Sequence, residues 1–390
     1  MKILFITSRI PYPLFRGDKL RVYNLIRNLS KSNEIILLSF IENKSEYELQ
    51  NELAKYCTRI ELIYLPVWKS VINSVLGFFS KLPIQVKYYN SKKMNTLVQN
   101  VIQEEKPDLI HTHLIRMAPY TFDIDHPKKV IDLTDAVSLY LKRFQKLTKN
   151  PFLKLFLLIE KNRMYKYEKI IQKYDRAFVC SEIDKEYLLS RNLKLKINLV
   201  YNGIELENYK TKKHIKRLNS IIFTGNMSYY PNSDAVEYFV KEIFPQILLK
   251  VPSAKFYIVG QNPSSKIIKM KSQNIIVTGF VKDICSEYLQ SDIAVSPIRY
   301  GAGTLTKILE STSLGIPVIA TPIGSLGLNL QHNKEILIAN SQEEFADYVV
   351  KLLNSKKERE RIGNNGKKKV RDLYGLGKIT NDLNKIYSQL

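Results

Sequence analysis

The chain of 390 residues is predicted to be an α/β protein made of two successive doubly wound parallel-sheet halves. Three observations predict it. Short apolar runs alternate with longer helical patterns, the signature of βαβ units. The alternation restarts past a polar, lysine-rich seam over residues 205–219, as a linker between domains should read. A hydrophobic share of 45% supplies sizeable cores and excludes a mainly disordered chain or a coiled coil.

Residues 2–7 (KILFIT) read as a buried strand, and 19–30 as a helix with Leu20, Tyr23, Leu25, Ile26 and Leu29 on its apolar face. Strands follow at 33–40 (NEIILLSF), 59–65 (RIELIYL), 106–112 (KPDLIHT), 128–133 (KKVIDL), 177–180 and 197–201, the last leading into Asn202-Gly203. The second half supplies six more, at 220–224 (SIIFT), 255–259 (KFYIV), 274–278 (NIIVT), 293–297 (IAVSP), 317–321 (PVIAT) and 335–339 (EILIA).

Sixty Lys and Arg against 37 Asp and Glu give a net charge of +23, which favours anionic partners. Two stretches concentrate the excess. Residues 68–93 mix Val71, Ile72, Val75, Leu76, Phe78 and Phe79 with five lysines, and residues 142–176 carry eleven Lys and Arg against three acids. Such segments can lie in a membrane interface; a core-packing helix with a solvated basic face is the plainer alternative. No apolar run spans a bilayer and no signal peptide is legible. Three scattered cysteines suit a reducing compartment. The expectation is a cytoplasmic chain with peripheral contact on the inner, anionic face of the plasma membrane.

Ligands in doubly wound sheets bind at the carboxyl ends of strands, so the loops there come first. After the first strand, Gly17 lets backbone N–H groups and a helix start approach an anion; a helix-capping turn at Asp18 explains it equally. The segment 299–315 (RYGAGTLTKILESTSLG) follows the strand at 293–297 and is the richest in the chain. Gly301 and Gly303 remove side chains at the bend, Thr304 can cap the next helix, and Leu305 follows. Lys307 and Glu310 are three residues apart and share a helix face. A cation near a helix N-terminus opposes the macrodipole, so Lys307 makes more sense with a bound anion beside it. Anion site, cation and hydroxyl acceptor in a row describe a nucleoside diphosphate.

That segment, with PVIATPIGSLGL at 317–328, PDLIHTH at 107–113, VYNGIE at 200–205, FTGNMSYYPN at 223–232 and VTGFVKDI at 277–284, resembles the retaining GT-B glycosyltransferases of family 4 type, in particular bacterial polysaccharide members. The resemblance runs over nearly the whole chain. It implies two Rossmann-like domains facing a central cleft: residues 1–203 on the acceptor side, 204–368 for the nucleotide-sugar donor, and 369–390 crossing back to the first domain. It implies that Glu310 holds the ribose hydroxyls, and that Lys307 with Gly301, Gly303, Thr304 and Leu305 binds the diphosphate or adjacent sugar. Phe280 and Val281 would line the base slot, Gly225 and Asn226 would take part in binding the nucleotide sugar, and Gly17 would approach the phosphates. No metal or other cofactor is implied, the acceptor is a sugar or lipid-linked hydroxyl, and nucleic acid is not a partner.

The sequence departs from that family in three places. Ala302 stands where the first carboxylate of the E-x7-E motif is expected. The usual Arg and Lys are missing from Gly225-Asn226-Met227, leaving Arg299 and Lys307 to supply the positive charge. Asp135 stands nearest to the usual cleft histidine and is the acceptor-side catalytic candidate. A nucleotide-sugar epimerase or hydrolase on the same fold, or a non-catalytic basic binding protein, are the alternatives. His111 and His113 could form a metal pair but lack an evident third ligand.

Overall fold

A computed structural model describes the chain except residues 15, 127, 149, 192–194, 210–213 and 301–305. The chain folds as two compact units, Met1–Gly203 with Leu376–Leu390, and Ile204–Gly375.

The first unit contains β1 (Lys2–Thr7), β2 (Glu34–Ile41), β3 (Arg59–Tyr64), β4 (Leu109–His113), β5 (Lys129–Thr134), β6 (Arg176–Val179) and β7 (Ile197–Leu199). They form one sheet in the order β3-β2-β1-β4-β5-β6-β7, with every pairing parallel. The second unit contains β8 (Ser220–Thr224), β9 (Lys255–Val259), β10 (Ile275–Gly279), β11 (Ile293–Ser296), β12 (Val318–Ala320) and β13 (Leu337–Ile338), in the parallel order β10-β9-β8-β11-β12-β13. Both sheets reverse their winding next to their first strand, between β1 and β4 and between β8 and β11. These are the crevices where such sheets take ligands.

The helices that matter below are α1 (Gly17–Leu29), α2 (Val67–Phe78), α3 (Val137–Leu147), α4 (Pro151–Tyr167), α5 (Tyr230–Tyr238), α6 (Ile284–Gln290), α7 (Thr306–Ser313), α8 (Lys356–Tyr374) and α9 (Leu376–Ser388). Strand side chains alternate between faces. In β1, Ile3 and Phe5 join Val22, Ile26 and Leu29 of α1 in one cluster, while Leu4 and Ile6 join Met94, Val98 and Val101 in another. Burial on both faces explains why the strands read as unbroken apolar runs.

The return to the first unit starts at Leu376, later than residue 369. Val370 and Tyr374 stay buried with the second unit, and the Tyr374 hydroxyl accepts the Asn329 N–H at 2.8 Å. Beyond it, Ile379, Leu383 and Tyr387 of α9 recur every fourth residue and close over the first unit's core. Among the described residues, no helix is long and apolar enough to cross a membrane.

Candidate donor site and its relatives

The second unit's switch point is built from the ends of β8 and β11. At β8, Thr224 runs into Gly225-Asn226, and a Cβ on Gly225 would lie 2.7 Å from Asn232 Nδ2. Gly260, after β9, sits at φ 145°, and a Cβ there would stand 1.8 Å from the Gly225 carbonyl oxygen. The floor is therefore bare backbone, which any larger residue would push apart.

Lys307 and Glu310 both lie in α7, one turn apart and half-buried. Lys307 Nζ donates to Asn232 Oδ1 at 2.7 Å and stands 4.0 Å from the Phe223 ring centroid. Asn232 is itself oriented by donating Nδ2 to the Asn226 carbonyl at 2.9 Å. Burial pulls the Lys307 ammonium down to about 7, with Glu310 opposing the shift. Among the described residues, the ammonium thus has one neutral acceptor and a ring face, and no carboxylate in direct contact. An anion brought beside it would raise its affinity for a proton.

Glu310 accepts hydrogen bonds from Tyr288, whose hydroxyl reaches Oε2 at 3.3 Å, and from Tyr209. Tyr288 also contacts Thr224 Oγ1 at 2.5 Å. A phenol has a single proton, so when Tyr288 donates to Glu310 it must accept from Thr224. Burial pushes the Glu310 carboxyl upward, while Tyr288, Lys307 and Tyr209 pull it back down. The result is a cation and a hydroxyl-accepting carboxylate at the crevice.

Arg299 lies just beyond β11 and is exposed. Its guanidinium binds Asp234 through two contacts, at 3.0 and 2.6 Å, and packs 4.4 Å from the Tyr238 ring centroid. Its charge is therefore balanced locally by Asp234, unlike that of Lys307. Phe280 follows Gly279 at the end of β10 and is 70% exposed, with Val281 half-buried beside it. Gly301, Ala302, Gly303, Thr304 and Leu305 lie outside the described residues.

The remaining candidates belong to the first unit. Gly17 heads α1, and a Cβ there would meet no atom within 4 Å. Beside it, Asp18 pairs with Arg9, Arg16 and Arg116 at 3.5, 3.3 and 3.6 Å. Asp135 follows β5 and accepts from the Cys180 thiol at 3.4 Å. Burial, with the nearby Asp184 charge adding to it, pushes its carboxyl up to about 6.

This shift makes a prediction. The folded protein keeps a proton on Asp135 that the unfolded chain gives up at an ordinary carboxylate value. The stabilisation is complete below the ordinary value of 3.8 and is lost as pH rises through about 6. Asp135→Asn should remove that loss and raise Tm at pH 7 by roughly 2–4 °C. A Tm-against-pH curve that runs parallel to the parent's between pH 4 and 8 would contradict this.

His111, His113 and Asp132 place ligand atoms within 4.8 Å of one another, so the third partner missing from the sequence does exist. It does not suit a metal. Arg21 binds both Asp132 oxygens, at 2.7 and 3.1 Å, and its charge would face any ion placed there. Tyr387 of α9 meets His111 Nδ1 at 2.5 Å, so the cluster ties α1, β4, β5 and α9 together.

The family comparison bears on the second unit. The model of the family described as glycosyl transferases group 1 matches residues 219–355, which include β8, α5, β11 and α7. The chain is a glycosyltransferase of the GT-B fold. A Klebsiella pneumoniae protein of 44.6 kDa from the cps region is 21% identical to this glycosyltransferase over 373 residues, covering 90% of each chain. CapM, a Staphylococcus aureus glycosyltransferase of capsular polysaccharide biosynthesis, is 23% identical over 203 residues, covering 48% of this chain and 53% of CapM. Anabaena HepE, solved with UDP and glucose, superposes with a TM-score of 0.69 at 14% identity, covering 100% of both chains. At that identity the likeness is one of fold, and the argument about this glycosyltransferase's chemistry rests on its own residues.

Asn232, Asp234, Tyr209 and Tyr288 were not expected as site residues. Asn232 ends the FTGNMSYYPN segment, a local signal that carried no role by itself. The two tyrosines reach Glu310 from distant parts of the chain, and nothing in their local sequence announces it.

Proposed function

We propose that the protein is a retaining, metal-independent glycosyltransferase acting in bacterial cell-surface polysaccharide or glycolipid assembly. It would move a sugar from a nucleotide-diphosphate sugar to an acceptor hydroxyl, lipid-linked in the favoured case. The observation that carries this reading is the Lys307–Glu310 pair on α7, an ammonium and a hydroxyl-accepting carboxylate one turn apart at the β8/β11 switch point.

In this reading Glu310 accepts hydrogen bonds from the ribose hydroxyls, as the family resemblance implies. Lys307 faces the diphosphate and gains most from the charge that develops there. The bond from the anomeric carbon to the diphosphate oxygen breaks, and the acceptor oxygen bonds the same carbon on the same face. The acceptor's proton passes to the departing diphosphate oxygen, so no strong protein base is required. The protein's task is electrostatic stabilisation of a leaving group. Arg299 adds charge if the substrate draws it from Asp234. HepE's UDP and glucose and CapM's capsular role support the donor class and the setting.

Asp135 gives the epimerase or hydrolase alternative its one specific support, since a carboxyl near pH 6 suits proton transfer. Product analysis with and without acceptor separates the two readings. For the first, a thermal-shift screen of UDP-, GDP-, ADP- and dTDP-sugars should find a stabilising donor, because ligands of the native state raise its apparent stability. NMR of the product should then show the donor's anomeric configuration. An inverted product would end the retaining assignment, and no response to any donor would end the transferase reading of this site.

A further inference from the structure

The helix α2 is oriented against the usual rule. Its buried positions are Ser70 and Gly77, with Ser74 half-buried on the same side, and Gly77 is close enough to Lys87 that a Cβ would meet it at 2.8 Å. The large residues point outward. Trp68, Val71, Ile72, Val75, Leu76 and Phe79 are exposed, with Trp68 at 65% and Phe79 at 87%. They recur with a helix's spacing of three and four and form one continuous apolar stripe.

A second stripe stands on α4. Phe152, Leu155, Phe156 and Ile159 follow the same spacing and are exposed, Phe152 at 84%. The two helices meet directly: Arg163 of α4 donates to the Phe78 carbonyl at 2.6 Å, and its guanidinium lies over the Phe78 ring. Contiguous apolar surface of this extent on a soluble domain marks an interaction site.

Charge identifies the occupant. Between residues 67 and 93 there are five lysines and no acid. Between residues 137 and 167 the sole acid is Glu160, which is buried and bonded to Arg163 and to the Ile84 N–H. Lys69, Lys81, Lys92, Lys93, Lys142, Lys146, Lys154 and Lys166 are all exposed. A second copy of this chain would set like charge against like. A surface that is apolar inside and anionic at its boundary matches both features.

We propose that α2 and the α3–α4 hairpin form a docking face for an anionic lipid bilayer, with the two stripes buried among the acyl chains and the surrounding lysines on the headgroups. Trp68 and the phenylalanines would sit at the interface, where amphipathic and aromatic side chains are favoured. This proposal does not rest on the transferase reading, since it concerns residues away from Lys307 and Glu310.

Trp68 is the chain's one tryptophan, so its emission reports this face alone. The full-length protein should bind phosphatidylglycerol-containing vesicles, with a blue shift of Trp68 emission, and should ignore pure phosphatidylcholine. Raising the salt from 0.1 to 1 M should release it, because the screening length falls from about 10 to about 3 Å. Val71→Glu with Val75→Glu should lower vesicle partitioning by about tenfold or more. Both positions are exposed, so the fold is spared, and the thermal shift produced by nucleotide sugar should match the parent's. Lys69→Glu with Lys154→Glu should weaken binding to anionic vesicles while leaving the apolar stripes intact.

Several results would overturn the proposal: no binding at low salt, equal binding to neutral vesicles, or parental binding by the double glutamate variant. A concentration-dependent dimer with shifted Trp68 emission in the absence of lipid would reassign the face to self-association. A failure here would leave the donor-site screen unaffected, so the two readings fall separately.

Discussion

Lys307→Ala should lower turnover by about 10²–10³-fold, the range expected for loss of one donor aimed at developing charge. The side chain is held by Asn232 and the Phe223 ring and touches no carboxylate among the described residues, so its charge is available to a diphosphate. In the intact nucleotide sugar that diphosphate carries less negative charge than after the sugar leaves. Binding of the free nucleoside diphosphate should therefore suffer more than binding of the donor, and kcat should fall more than KM rises.

The titration of this lysine supplies a second readout. Its ammonium is pulled down to about 7, so the unliganded protein loses the charge as pH rises past neutrality. A bound anion holds the proton on, and binding above pH 7 must then take one up. Nucleoside diphosphate affinity should fall by about tenfold per pH unit above that point in the parent. It should be flat over the same range in Lys307→Met. Calorimetry in two buffers of different ionisation enthalpy measures the proton uptake directly. Equal uptake in parent and variant would remove Lys307 from the site.

Glu310→Ala should weaken nucleotide-sugar binding by about 1–3 kcal/mol through loss of charge-assisted hydrogen bonds. Part of that loss comes from within the protein. The Tyr288 and Tyr209 hydroxyls lose their shared acceptor, and Lys307 loses the charge that keeps its ammonium from falling further. A donor analogue lacking the ribose hydroxyls separates the two contributions. The parent should discriminate against the analogue, whereas Glu310→Ala should bind analogue and natural donor almost equally. Glu310→Gln should recover part of the affinity, because it keeps an acceptor oxygen without the charge. If Glu310→Ala still prefers the natural donor as strongly as the parent does, the ribose role is wrong.

Much of the fold was legible because its causes are local. Strands buried on both faces must be apolar throughout, so runs such as KILFIT and SIIFT identify β1 and β8 without reference to anything distant. The ends of shorter strands were less clear. The run at 335–339 reduces to Leu337–Ile338, which pairs with β12 at the edge of its sheet. Lys307 and Glu310 were legible for a similar reason: a spacing of three within one helix fixes a shared face wherever that helix packs.

Their partners were not legible. Asn232 reaches Lys307 from α5, and Tyr288 reaches Glu310 from α6, because parallel strand order brings the ends of β8 and β11 side by side. Asp234 likewise meets Arg299 only across that junction, and so balances a charge that seemed available in the sequence. The orientation of α2 is decided in the same way. Its apolar periodicity was plain, but a period tells which residues share a face, not whether that face meets core or solvent. The close approach of Gly77 to Lys87 and the burial of Ser70 settle the matter, turning Trp68 and its neighbours outward. The sequence by itself determined two Rossmann-like halves and a cation–carboxylate pair on one helix, since both follow from short-range spacing. Only the tertiary structure decided which groups hold that pair and which way α2 faces, since those depend on contacts between segments far apart in the chain.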